Sequence, residues 1–137
     1  MRTLSLLSAF LVGTVIPAQA MAAGSGAAAA ETRSVQVGPD RIAYRKLGSG
    51  DPILLLNRFR GTLDTWDPAF LDALARHHTV IAFDLPGIGY SEGVQPDSME
   101  QGIASVEGLA DALGLRKFDL LGWSWGGLLP AAVLVDA

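Results

Sequence analysis

The chain has 137 residues, carries 14 acidic against 10 basic side chains for a formal charge of −4, and is half apolar; that is enough for one globular domain and not for two. It contains no cysteine, which excludes disulfides, a cysteine zinc site, a thiol nucleophile and a lipid-modified cysteine at an export site. Its basic residues form nothing larger than the pairs Arg45-Lys46, Arg58/Arg60 and Arg116-Lys117, so the footprint that nucleic acid needs is missing and no nucleic-acid partner is expected.

The first segment is read as targeting sequence rather than fold. Arg2 supplies a positive start, Leu4 to Ile16 is an apolar run ended by Pro17, and Ala18-Gln19-Ala20 presents small residues where a signal peptidase reads them. Residues 1–20 are therefore expected to be a signal peptide, with cleavage after Ala22 or Ala23 as a variant and an uncleaved anchor as the alternative. The run is shorter than the roughly 20 residues of a comfortable membrane span. The mature protein is expected to be periplasmic or secreted, with no membrane attachment. Residues 21–32, rich in alanine and glycine, read as a flexible tether, and the domain as residues 33–137.

Ser34 to Val37 and Ile42 to Leu47 are short strand candidates. Gly38-Pro39-Asp40 between them is turn chemistry, so they form a hairpin. Ile53 to Leu56 is apolar at every position, as a central parallel strand covered on both faces requires. Val80 to Phe83 and Phe118 to Leu121 fit the same description, less purely in the second case because of Asp119. Asp67 caps a helix that has Pro68 at its first position, with Phe70, Leu71 and Leu74 on one face and an end near Arg76. Ser98 and Gln101 make a capping-box pattern; Ile103, Val106, Ala110 and Leu113 follow at helical spacing, and Gly114 terminates. From Trp125 onward the chain is apolar all round, which predicts a buried helix. Strands alternating with helices predict an α/β fold, a mostly parallel sheet with helices on both faces and an N-terminal β-hairpin.

The sharpest signal is Gly122-Trp123-Ser124-Trp125-Gly126, followed by Gly127. A G-x-S-x-G pattern means little by itself; its place between an apolar strand and an apolar helix gives it force. A serine on a tight strand-to-helix turn takes a strained backbone conformation, and the residues two before and two after must be small because they crowd each other. The turn lifts the hydroxyl out at the carboxyl end of the sheet, where ligands bind in open α/β folds, and the helix start aims N–H groups at developing negative charge. The alternative is a glycine-rich connector with no chemistry.

Together with this pattern, Asp84-Leu85-Pro86-Gly87-Ile88-Gly89-Tyr90-Ser91 after a strand, and Asp111-Ala112-Leu113-Gly114-Leu115 before the serine strand, make the chain resemble the α/β-hydrolase fold family from about Val37 to its end. The resemblance implies Ser124 as nucleophile, no cofactor and no metal, and a small-molecule acyl substrate such as an ester or lactone. In that family the Asp84 loop is architectural, and its G-x-G lacks the position and third glycine of a dinucleotide site.

The resemblance also implies an oxyanion hole made by the N–H of Trp125 and a second N–H from the loop after the Ile53 strand. The family usually has His-Gly there; this chain has Asn57-Arg58, and position-by-position matching assigns Phe59 as donor. Arg58 stands where glycine would take positive φ freely, so the loop is expected to follow a different path. Arg58 and Arg60 are read as solvated or paired with Asp64 or Asp67, an anionic substrate being the alternative. Trp123 and Trp125 are candidates for an apolar pocket, Trp123 equally for packing.

The family order is serine, then acid, then histidine. Only Asp136 follows Ser124, in the helix running away from it, and no histidine does. His77 and His78 precede the Val80 strand and are expected at the end opposite the serine. The reading is thus an incomplete α/β-hydrolase fold: the N-terminal part of a serine hydrolase, inactive by itself and complete only with a C-terminal segment. Haloperoxidases and acyltransferases share this triad and stay open. The competing function is an inactive remnant or non-catalytic binding protein with the same fold.

Overall fold

The computed structural model describes residues 26–128. The expected signal peptide 1–20, the start of the expected tether (21–25), and Asp136 with the expected closing helix beyond Leu128 lie outside the described residues. Five strands form one sheet: β1 (Arg33–Val37), β2 (Asp40–Gly48), β3 (Asp51–Leu56), β4 (His78–Phe83) and β5 (Asp119–Gly122). Two helices, α1 (Pro68–Leu74) and α2 (Met99–Ala112), lie between strands. The strand order is β1-β2-β4-β3-β5. The hairpin pairs antiparallel and joins β4 antiparallel, while β4, β3 and β5 run parallel.

The aliphatic run of β3 divides its side chains between two cores, because successive residues of a strand face opposite sides. Ile53 and Leu55 join Val80, Ala82, Leu63, Trp66 and Leu71 on the α1 face. Leu54 and Leu56 join Ile81, Phe83, Ile42, Val106 and Leu109 on the α2 face. A strand buried on both faces has no polar side to spare, which is why β3 and β4 read as continuous apolar runs.

The helices start as their sequences predict. Asp67 Oδ1 accepts the Ala69 N–H at 2.9 Å with Pro68 at the first position. Ser98 Oγ accepts the Gln101 N–H at 3.2 Å. The reciprocal half of the expected capping box shifts by one residue: Gln101 Oε1 accepts from Asp97 N–H, not from Ser98. At the end of α2, Leu115 N–H donates to Ala110 O and Gly114 N–H to Asp111 O, with Gly114 at φ +72°; this is a Schellman ending.

Two expectations are corrected. Phe70 is not on the buried face of α1: it is half-exposed and stacks on Trp66 at 5.9 Å, because Phe70 and Leu71 are consecutive and point about 100° apart on a helix. The low-complexity stretch is not a free tether throughout. Ala27–Ala29 form a 3₁₀ turn in which Ala27 is buried and donates its N–H to Asp72 Oδ1 of α1 at 2.7 Å.

Among the described residues β5 pairs on one side only, with β3, and Trp123 and Leu128 just after it are about half exposed. An unpaired strand edge beside apolar surface templates association. The 137-residue chain expressed by itself is therefore expected to aggregate or to melt without cooperativity. Size-exclusion light scattering and a thermal scan check this, and a monodisperse, cooperatively melting sample would contradict it.

Candidate active site

β3 and β5 end side by side, Leu56 against Gly122, and the chain beyond each supplies half of the site. After β5 the backbone turns sharply into the 3₁₀ turn Ser124–Gly127. Ser124 is exposed and sits at φ +59°, a left-handed conformation that costs a non-glycine residue roughly 1–2 kcal/mol. Two hydrogen bonds and two close glycine approaches hold it there. Trp123 N–H donates to Leu56 O at 3.0 Å, and Gly126 N–H donates to Trp123 O at 3.1 Å. A methyl group on Gly122 would run into the Gly126 carbonyl, and one on Gly126 would run into the carbonyls of Leu56 and Asn57. The glycines spaced two either side of the serine thus permit the corner to close on itself and on the end of β3.

The second half is the loop Asn57 to Gly61. Asn57, where the family usually has histidine, organises it: Nδ2 donates to Thr62 O and Thr65 Oγ1, both at 2.8 Å, and Oδ1 accepts the Arg58 N–H at 2.8 Å. Gly61 N–H donates to Arg58 O at 2.8 Å, closing a four-residue turn whose third residue, Arg60, has φ +60°. A positive φ at the third position alone is the type II pattern, which ordinarily takes glycine or asparagine. The different path expected of this loop therefore has a specific form: the left-handed residue is Arg60, two positions after Arg58.

This turn leaves the Phe59 N–H outside its own closing bond, and the start of the Ser124 turn leaves the N–H of Trp125 without an intrahelical partner. The two residues meet edge to face, with ring centroids 6.5 Å apart. Between them opens a cavity of about 30 Å³. Leu56, Phe59, Phe83, Leu85, Ile88 and Trp125 make its apolar wall, and Arg58, Arg60 and Gln95 contribute its polar groups. Ser124 itself does not line this cavity; its neighbour Trp125 does. Trp123 turns the other way and packs on Trp66 at 6.2 Å.

The Asp84 loop, just after β4, holds the end of the Asn57 half. Asp84 is fully buried; Oδ1 accepts the Leu63 N–H and Oδ2 the Tyr90 N–H, each at 2.8 Å. Burial raises its pKa above the ordinary carboxylate value, against the opposing pull of those two N–H groups. Ser91 Oγ donates to Asp84 O at 2.7 Å and accepts from Ala43 N–H at 2.8 Å. The loop is architectural, as read, but its reach to Leu63 at the end of the Asn57 loop was not visible in the sequence.

Arg58 and Arg60 do not pair with Asp64 or Asp67. Arg45 holds Asp64 at 2.8 Å and the Tyr90 hydroxyl donates to it at 2.6 Å, which together lower the Asp64 pKa. Asp67 is occupied in capping α1. His78 begins β4 opposite Asp51, at the start of β3, five residues or about 16 Å of strand from the serine end. His77 and His78 are thus at the far edge of the sheet, as expected.

Comparison with known proteins agrees with this geometry. The family model described as alpha/beta hydrolase fold matches residues 51–137. The chain is 36% identical over 118 residues to the dihydrolipoyllysine-residue acetyltransferase component of the acetoin cleaving system of Cupriavidus necator, covering 84% of this chain and 31% of that protein. It is 32% identical over 129 residues to a human serine hydrolase, covering 90% and 44%. A solved structure of an alpha/beta hydrolase fold protein from Chitinophaga pinensis superposes with a TM-score of 0.78 at 36% identity, over 81% of this chain and 41% of that one. The chain spans less than half the length of each. Matched by the family model from Asp51 onward and sharing the backbone of its solved relatives, the chain belongs to the alpha/beta hydrolase fold family.

Proposed function

We propose that this chain supplies the nucleophile-bearing part of a serine hydrolase acting on esters, lactones or related small acyl compounds through an acyl-enzyme. The observation that carries the reading is the exposed Ser124 at φ +59° on a corner at the carboxyl end of the sheet, beside a loop with an N–H to offer. In this mechanism Ser124 Oγ attacks the acyl carbon and passes its proton to a histidine. The carbonyl oxygen takes up the negative charge against the Trp125 and Phe59 N–H groups, each worth about 2.7–4 kcal/mol in the transition state. Collapse expels the alcohol with that proton and leaves the acyl group on Ser124; water then releases it. His78 lies at the opposite end of β4 from this site, so in this reading the histidine and its orienting acid come from the part of the relatives' fold that this chain does not span. The names of the human serine hydrolase and of the acetyltransferase component are in keeping with acyl chemistry, and the latter keeps acyl transfer open as the fate of the same intermediate. The signal-like residues 1–20 support the further reading that the protein is exported, to the periplasm or the medium.

The test is fluorophosphonate labelling of a polypeptide in which these 137 residues continue into the segment bearing acid and histidine. Labelling is expected in the parent and absent in Ser124→Ala; equal labelling of the two would end the proposal and favour a non-catalytic binding protein. Gly126→Ala is a second check. Its methyl group pushes the corner away from the Asn57 carbonyl, and a displacement of about 1 Å costs on the order of 10²-fold in rate. Unchanged kcat/KM for a neutral p-nitrophenyl ester would show that the close approach is irrelevant.

A further inference from the structure

We infer that Arg58 and Arg60 select an acyl substrate carrying a carboxylate, a class that the serine-hydrolase reading, on which this inference rests, leaves open.

Arg58 and Arg60 both line the apolar cavity that Trp125 walls, and among the described residues neither forms an ion pair. Each rests on an aromatic ring tied to the corner. Arg58 Cζ lies 5.8 Å from the Trp123 ring centroid. Arg60 Cζ lies 5.9 Å from that of Phe59, which meets Trp125. Arg58 Nη1 also donates to Phe59 O at 3.4 Å; stacking on a ring face fixes the plane of a guanidinium and leaves its remaining N–H groups for carboxylate recognition.

Arg60 adds an independent argument. It occupies a left-handed turn position where glycine would be unstrained. The turn itself does not need the side chain; the rim of the pocket uses it. Asp97 borders the adjoining groove past Gln95 and Pro96 and repels an anion there. The acid end of the substrate is thereby confined to the arginine side, with its apolar part against Phe59, Leu85, Ile88 and Trp125.

Two measurements on the domain-completing polypeptide test this. The first is the ratio of kcat/KM for mono-p-nitrophenyl glutarate to that for p-nitrophenyl butyrate. The ratio is expected to fall roughly 10- to 100-fold in Arg58→Gln/Arg60→Gln, the loss expected for a charged hydrogen bond, and to recover partly in Arg58→Lys/Arg60→Lys. An unchanged ratio overturns the inference. The second needs no catalysis: titration with monomethyl glutarate, followed through the fluorescence of Trp123 and Trp125, is expected to saturate, to weaken with salt and to lose at least tenfold in affinity in the double glutamine variant. The uncharged dimethyl glutarate is expected to give no such response, and equal responses to the two overturn the anion site. Charge-dependent binding without fluorophosphonate labelling would remove the hydrolase and keep the site; labelling with a charge-blind response would do the reverse.

Discussion

Ser124→Ala is expected to lower ester turnover by about 10⁶-fold in kcat in the completed polypeptide, the scale seen when a catalytic serine is lost. What remains, on the order of 10³–10⁴ over water, belongs to the oxyanion donors and substrate binding. The change keeps the β-carbon and the φ of +59°, so stability should stay within about 0.5 kcal/mol, as for an exposed substitution away from packing. Ser124→Gly is the sharper companion. It is expected to be equally inactive yet more stable by roughly 1–2 kcal/mol, because glycine carries no penalty in the left-handed region. Pre-steady-state kinetics and urea unfolding read the two quantities separately. Turnover in the alanine variant above a hundredth of the parent would assign the chemistry to another group.

The second large effect concerns Asp84. Its carboxylate accepts one N–H from each of two loops. Alanine strands both donors in a buried place, at about 1–3 kcal/mol each, or some 2–6 kcal/mol against a typical total of 5–15. Asparagine should cost about half as much, since its amide presents a donor to whichever of Leu63 or Tyr90 loses its acceptor. The pH dependence separates this account from simple loss of volume. Burial raises the folded-state pKa of Asp84, so between the unfolded value of 3.8 and that raised value the native state holds the proton that the unfolded chain has lost. The contribution of Asp84 therefore improves as pH falls through the folded pKa, is complete below the unfolded one, and is lost as pH rises. Asp84→Asn should remove that component from the urea-midpoint profile. A profile identical to the parent's would mean that the carboxylate titrates alike in both states.

How much of this was legible in the sequence follows from how local each signal is. The doubly buried β3 and β4, the caps at Asp67 and Ser98, and the Gly114 ending are set within a few residues, and each appears where its pattern put it. The corner at Ser124 was readable because its steric demand falls two residues away on either side. The unread features depend on distant partners. Nothing near Asp84 in the chain signals that it holds Leu63, 21 residues earlier. Leu109, wholly buried at the centre of the α2 face, lies within the helical stripe that Val106 and Ala110 define, and the chosen spacing stepped over it. The organising role of Asn57 depends on Thr62 and Thr65 folding back onto it, and the left-handed Arg60 depends on that closure. The docking of Ala27 against Asp72 depends on a partner 45 residues away, beyond what composition can report.

The alternation that lets β3 serve two cores has a consequence for fidelity of assembly. An amphipathic strand that slips by one residue exposes its apolar side, and the mistake is expelled. Ile53, Leu54, Leu55 and Leu56 carry a smaller penalty of this kind, since a slip by one would still set apolar side chains against both cores. Correct framing must then be enforced where the strand stops, by the Trp123 N–H on Leu56 and the glycine contacts with Leu56 and Asn57. A slip of one position would carry the Phe59 amide about 3.3 Å along the strand with the greasy interior still filled: a molecule indistinguishable from native by compactness or helicity, and catalytically mute.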